Sequence, residues 1–269
     1  MTPRVHPSSV VEPGARIGDN VTIGPFCHIG AKVGLGRDVE IVSHVAISGD
    51  VHIGAGTKIY PFAAIGAPAQ DLKSVGEEGR VVIGVGCVIR EGVTINAGTK
   101  AGGAVTTVGD RCALLAYSHI AHDCRLGDRV ILANNVALGG HVQLGDQVVI
   151  GGGSALHQHV RIGAHSFVAG LSGVEADAPP FMLIGGNRAH LFGLNIVGLG
   201  RCGFSPERIA RLKRAYRALY SRHVPTPLDE RLELARQLPD DDGDIARLIV
   251  FLREPSDRPA MAPRASRRP

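Results

Sequence analysis

The residues best suited to chemistry are histidines set close to a carboxylate. The run Ser118-His119-Ile120-Ala121-His122-Asp123 carries two histidines and an acid. A histidine titrates near neutrality, and an adjacent carboxylate can fix its tautomer, which is the composition of a general base. His141 and Gln158 follow at 19 and 36 residues from His122, and Asn96 precedes it. Residue types alone leave three readings open. The cluster can be an acid–base site with His122 as base and Asp123 as its support. His119, His122 and His141 can instead be three zinc ligands, since three histidines and a water make a catalytic zinc site. The chain can also be a rod-like scaffold with decorated faces.

What must position these residues is a repeat. Isoleucine, valine or leucine returns every sixth residue from Val5 to Ile65, again at Ile83, Ile89 and Ile95, and without a miss from Val108 to Val174. A period of six fits neither a helix nor an ordinary strand. It predicts a parallel β-helix in which each hexad supplies one short strand and one corner. Three hexads make an 18-residue turn, so the twenty-six hexads predict eight to nine turns. Two insertions, at 71–82 and 101–107, break the count, and such insertions map to a binding face.

The turn 108–125 defines three columns, headed by Val108 (a), Leu114 (b) and Ile120 (c). Column c also holds Ile65, Ile95, Leu138, Leu156 and Val174. Stacking turns about 4.8 Å apart brings Asn96, His122, His141 and Gln158 onto one edge, and both insertions leave from the same column. His6, His28, His44, His52 and His165 are scattered and are expected to be solvated.

Composition agrees with a narrow coil. The 269 residues include no Trp, 4% aromatics and 36 Gly. Cys27, Cys87, Cys112 and Cys124 fall in the small, inward slot four residues after a hexad aliphatic, so they are expected to be reduced core residues. A net charge of +4 without basic–aromatic interleaving argues against nucleic acid. No apolar run has the length of a membrane span. The hexads begin at Val5, leaving no room for a presequence, and a cytoplasmic location is expected. The β-helix is expected over 1–188. A helical cap follows over 189–254, with a helix opening at Ser205-Pro206 and further helices over 229–238 and 245–252. The Pro- and Arg-rich 255–269 is expected to be disordered.

Several local strings resemble those of the UDP-N-acetylglucosamine 3-O-acyltransferases. They are Gln70-Asp71-Leu72-Lys73, His119-Ile120-Ala121-His122-Asp123-Cys124, Ile131-Leu132-Ala133-Asn134-Asn135, Gly139-Gly140-His141 and Gly193-Leu194-Asn195-Ile196. The resemblance covers residues 1 to about 225. It implies a left-handed β-helix and a homotrimer with active sites in the clefts between subunits. It further implies transfer of an (R)-3-hydroxyacyl group from acyl carrier protein to the 3-hydroxyl of a UDP-linked glucosamine, the first step of lipid A synthesis, without metal or other cofactor. By the match His122 is the general base, Asp123 supports it, and the Gly140 N–H stabilises the oxyanion. Asp71, Lys73, Asn96, His119, His141, Gln158, Asn195 and Arg201 match substrate-contacting positions, and Gly170 the position that limits acyl length. Asn96 stands where a His is often found, Val197 where a Glu is, and Cys202 where a second Arg is common. These departures leave open a 3-amino sugar as acceptor. Arg208, Arg211, Lys213, Arg214 and Arg217 are expected to dock the acidic carrier protein.

Overall fold

The computed structural model describes residues 2–74, 76, 78–220 and 226–264. Most hexads form a two-residue strand ending on the repeating aliphatic, as in Thr22–Ile23, His28–Ile29 and Gly34–Leu35. Successive strands go to successive sheets, so strands three apart in sequence pair in parallel. Three sheets of eleven, nine and eight strands form the faces of a left-handed parallel β-helix. Column c is the nine-stranded sheet. Its register runs Ile65 to Ile95, Ile120, Leu138, Leu156 and Val174.

The interior is a stack of repeating aliphatics and the small inward residues two positions before them. Ile29, Ile47, Ile59, Ile89, Ile95 and Ile120 are wholly buried. Each contributes about 1.5–3 kcal/mol of burial. Cys27, Cys87, Cys112 and Cys124 lie in this lining, reduced and buried, whereas Cys202 is exposed.

The two excursions are shifted from their expected bounds. The strands Arg80–Ile83 and Val105–Val108 claim residues assigned to the insertions, because Val81 and Thr106 fill the inward slot, Val81 pairing with Val51 on one side and Thr106 on the other. The loops themselves span 68–79 and 97–104. Asn96 donates to Pro68 O at 2.7 Å and so anchors the root of the first loop. The second contains a short 3-10 helix, Lys100–Gly102, capped by Thr99.

Beyond Val174 the coil is closed rather than left bare. The strand Met182–Gly185 continues the eleven-stranded sheet, and His190–Leu194 adds to it antiparallel. That last strand lies in the block expected to be helical. Four helices follow: α1 (Ile196–Arg201), α2 (Pro206–Tyr220), α3 (Leu228–Arg236) and α4 (Asp244–Arg253). Ser205 Oγ accepts from Arg208 N–H at 3.2 Å, capping α2. α1 carries no periodic apolar pattern; Asn195 makes it by accepting from Gly198 N–H. His165 is not solvated: it is half-buried under the cap, its ring 5.1 Å from that of Phe204.

Disorder from Pro255 is not what the described part of the tail shows. Residues 255–264 run along the coil; Met261 is buried and its N–H donates to Asp177 O at 2.7 Å. Asp177 N–H donates to Pro259 O at 2.9 Å. Bonding to a preformed edge substitutes for the apolar content this segment lacks. Residues 265–269 lie outside the described set. No helix among the described residues is long and apolar enough to cross a membrane.

Candidate active site

The corner after column c carries the cluster. Counting from the aliphatic, His122, Gly140 and Gln158 occupy the second place in three successive turns. Asp123, His141 and His159 occupy the third. His141 N–H donates to His122 O at 3.0 Å and His159 N–H to Gly140 O at 2.9 Å, which locks the register. The third place requires left-handed backbone, and Asp123, His141 and His159 adopt it at φ 60, 61 and 65°. A non-glycine residue costs roughly 1–2 kcal/mol there. The same geometry is what turns these side chains toward each other.

His122 Nδ1 lies 2.8 Å from Asp123 Oδ2. An ionised carboxylate only accepts, so Nδ1 carries the proton and Nε2 keeps its lone pair. The Asp123 side chain is fully buried. Its oxygens also accept from Thr99 N–H at 2.9 Å and from Thr99 Oγ at 2.7 Å. Asp123 N–H donates to Thr106 Oγ1 at 2.8 Å. Three donors to one buried carboxylate fix its position and orientation. The loop 97–104 makes this possible by close approach: a Cβ on Gly102 would lie 2.0 Å from Asp123 Cγ.

Gly140 lies directly over the His122 ring. A Cβ there would sit 2.5 Å from Cε1 and 2.6 Å from Nε2. The glycine is therefore a requirement of space, and none of the described residues accepts from its N–H. His141 meets His122 edge-on, ring centroids 5.1 Å apart, and its Nε2 is 3.7 Å from Asp123 Oδ2. Burial pushes the His141 pKa down, against the opposing pull of Asp123. His119 bonds Thr94 Oγ1 at 2.7 Å, and its pKa is lowered by burial and then by His122. Both rings are thereby kept neutral near pH 7. Cys124 cannot supply a nucleophile, because burial pushes its thiol up to about 12.

A groove of about 530 Å³ opens on this corner, lined among others by Gln70, His119, His122, Gly140, His157 and Gln158. Of the residues implied by the resemblance, His119, His122, Gly140 and Gln158 line it. Asp123 and His141 touch His122 from behind. The other implied positions are placed differently. Asp71 and Lys73 bond each other on the first loop, Asp71 Oδ1 accepting from Lys73 N–H at 3.0 Å. Asn96 serves as the loop anchor. The Asn195 side chain is used in capping α1 and in donating to His165 O at 2.9 Å. Neither Arg201 nor Gly170 lines the groove. Sequence reasoning missed Thr99, Thr106 and His157 as site residues. Thr106 could have been found as a hydroxyl in the inward slot; Thr99 sits in a loop with no repeat to index it.

A family model described as UDP N-acetylglucosamine O-acyltransferase, domain 2, matches residues 177–261. The bacterial transferase hexapeptide model matches residues 2–31 and 106–140. An acyl-[acyl-carrier-protein]--UDP-N-acetylglucosamine O-acyltransferase of Rhizobium johnstonii is 43% identical over 260 residues, 97% of this chain and 95% of that protein. The chain belongs to the UDP-N-acetylglucosamine O-acyltransferase family. Solved structures of members superpose closely. LpxA from Acinetobacter baumannii gives a TM-score of 0.91 at 36% identity, over 96% of this chain and 99% of that one. The UDP-N-acetylglucosamine acyltransferase from Campylobacter jejuni gives 0.90 at 37%, over 97% and 100%.

Proposed function

We propose that this protein transfers an (R)-3-hydroxyacyl group from acyl carrier protein to the 3-hydroxyl of UDP-N-acetylglucosamine, the first step of lipid A synthesis, in the cytoplasm. The observation that carries the reading is the His122–Asp123 pair under Gly140, in a chain with a 43% identical relative named for that reaction. His122 Nε2, left as the free lone pair, accepts the sugar hydroxyl proton as the oxygen attacks the thioester carbonyl. The tetrahedral oxyanion accepts from the Gly140 N–H. Collapse breaks the C–S bond, and the carrier thiolate takes the proton from the His122 imidazolium. Such a base contributes about 10²–10⁴-fold and an oxyanion donor about 10²–10³-fold. Asp71, Lys73, Asn195, Arg201 and Gly170 do not line the groove of their own chain, which supports a homotrimer in which a neighbouring copy completes each site.

His122→Ala is the direct test: acyl transfer collapses while the folded assembly persists. Activity above a few per cent would rule His122 out as the base. Mass spectrometry of products made with both UDP-sugars separates ester from amide formation, and so decides whether the 3-amino analogue is the acceptor.

A second reading is favoured by one observation. His122, Asp123 and His141 bring possible ligand atoms within 4.8 Å of one another. This set differs from the three histidines expected for zinc, since His119 is turned to Thr94. Stoichiometric zinc that rises and falls with activity would establish it in place of the acyl-transfer mechanism.

A further inference from the structure

The tail residues 255–264 do more than seal the coil. They grip one corner, His157-Gln158-His159, of which His157 and Gln158 line the groove. Arg258 is half-buried; its Nε donates to Gln158 O at 2.8 Å and its Nη2 to His157 Nδ1. Asp257 Oδ2 lies 3.1 Å from His159 Nδ1. The His159 ring stacks on His141, centroids 4.4 Å apart and planes 5° from parallel, and His141 in turn abuts His122. The grip is itself anchored. Ser256 Oγ donates to the buried Asp177 at 2.6 Å, and Asp177 holds Arg161 Nε at 2.7 Å. Arg161 also meets Glu254 at 3.1 Å, so both ends of the segment's first turn are tied to the same hexad.

We propose that Arg258 and Asp257 are positioning residues for substrate binding: Arg258 fixes the tautomer and orientation of His157, and Asp257 fixes His159 behind His141. A guanidinium has donors only, so His157 Nδ1 must accept and the ring proton must sit on Nε2. A histidine lining the groove is thus held as a donor at Nε2. Likewise Asp257 selects the Nδ1–H form of His159, which backs the His141 ring by stacking. The tail sets the wall without touching the reacting atoms. The proposal rests on reading the groove as the acyl-transfer site.

The test compares Arg258→Gln, Arg258→Lys and Asp257→Asn in the full chain with the unaltered protein. The readouts are histidine side-chain ¹⁵N spectra at pH 8, the KM and kcat of acyl transfer, and Tm. In the unaltered protein His157 is expected as the Nε2–H tautomer. Arg258→Gln is expected to mix the tautomers and raise the KM of the substrate that meets His157 about tenfold, as for one lost charge-assisted hydrogen bond, with kcat nearly unchanged. Arg258→Lys, which keeps one donor, recovers part of that loss. Asp257→Asn is expected to alter the His159 signals. An Nδ1–H His157 in the unaltered protein, or an Arg258→Gln variant with unchanged KM whatever its Tm, overturns the proposal. A protein without acyl transfer of any kind would refute the functional reading instead, and the tautomer spectra would still decide whether Arg258 holds His157.

Discussion

Gly140→Ala is the sharpest probe of the site, because it changes one methyl group and nothing in the backbone. Gly140 is not in the left-handed region, so alanine meets no conformational penalty of its own. The added Cβ meets the His122 ring at 2.5 Å. Ordinary carbon contacts lie at about 3.5–4.0 Å, so ring and methyl must separate by about 1 Å. The ring cannot retreat along its own axis, since Nδ1 is held at 2.8 Å by an Asp123 carboxylate that Thr99 also grips. It must swing, which moves Nε2 away from the attacking hydroxyl. A misplacement of about 1 Å costs on the order of 10²-fold in rate, or about 2.7 kcal/mol of barrier. The assay is single-turnover acyl transfer with saturating acyl carrier protein and sugar nucleotide, alongside thermal melting. The expected result is a kcat near 1% of the unaltered enzyme, with Tm lowered by only a few degrees. A variant that keeps more than a tenth of its activity, or one whose loss is matched by unfolding, refutes the packing argument.

Asp123→Asn places an amide where two donors already point, and lets His122 take the wrong tautomer; activity should fall about 10²–10⁴-fold, measured by product formation at constant fold as judged by circular dichroism. The burial-lowered pKa values of His119, His141 and His165 link stability to pH. The unfolded chain binds protons that the folded one refuses, so stability rises with pH through the window below the ordinary histidine value of about 6.5. Melting should therefore move to lower temperature between pH 7 and 5, and a flat Tm there would contradict the placement of these rings. Arg208 and Arg211 are already paired with acids of the cap. Arg208 holds the buried Asp244 at 2.6 and 2.8 Å, and Arg211 pairs with Asp242. Asp244→Ala should thus destabilise the cap by about 2 kcal/mol, read from denaturant midpoints. Charge reversal at Lys213, Arg214 and Arg217 should instead raise the KM for acyl carrier protein at low salt, with Tm unchanged.

How much of this was legible depends on whether a residue is indexed by the repeat. The period of six assigns every position in the coil a column and a place. It therefore stacks His122 beneath Gly140 and Asp123 beneath His141 before any coordinate is known. The same index explains why Thr106, two residues before Val108, could have been recognised as reaching the corner. It fails wherever the chain leaves the coil. Thr99, the donor that does most to hold Asp123, lies in the 97–104 loop. Its role follows from glycines at 98 and 102 that allow the loop to approach. Asn195 matched a substrate-contacting position but is used as a cap, because one amide side chain can satisfy both the α1 N-terminus and His165 O. The pairing of Arg208 and Arg211 within the cap was hidden for a related reason. The acids at 240–244 are about thirty residues from Arg208 and Arg211, and only the helix packing joins them.

The division between inward and corner places also explains how a repeat can carry a catalytic site without weakening itself. The two inward places of each hexad supply the core, and they are occupied through the site as elsewhere: Ile120, Cys124, Leu138, Val142 and Leu156 are all buried. The chemistry is confined to corner places, where side chains project outward and the fold imposes only a backbone conformation. Two successive turns then give four adjacent places, two second and two third. Filling them with His122, Asp123, Gly140 and His141 yields a base, its carboxylate, a vacancy that admits the base, and a lateral support. None of the four could be exchanged between second and third place. The third place aims Asp123 into the 97–104 loop, where Thr99 waits, and the second puts His122 on the groove. The loops obey the same logic: each leaves from the corner after column c and re-enters on an inward residue, Val81 or Thr106, so register is restored before the next aliphatic. A single-residue deletion inside 97–104 should accordingly spare the coil and abolish only the grip on Asp123. The same deletion within 108–120 would misplace every turn that follows.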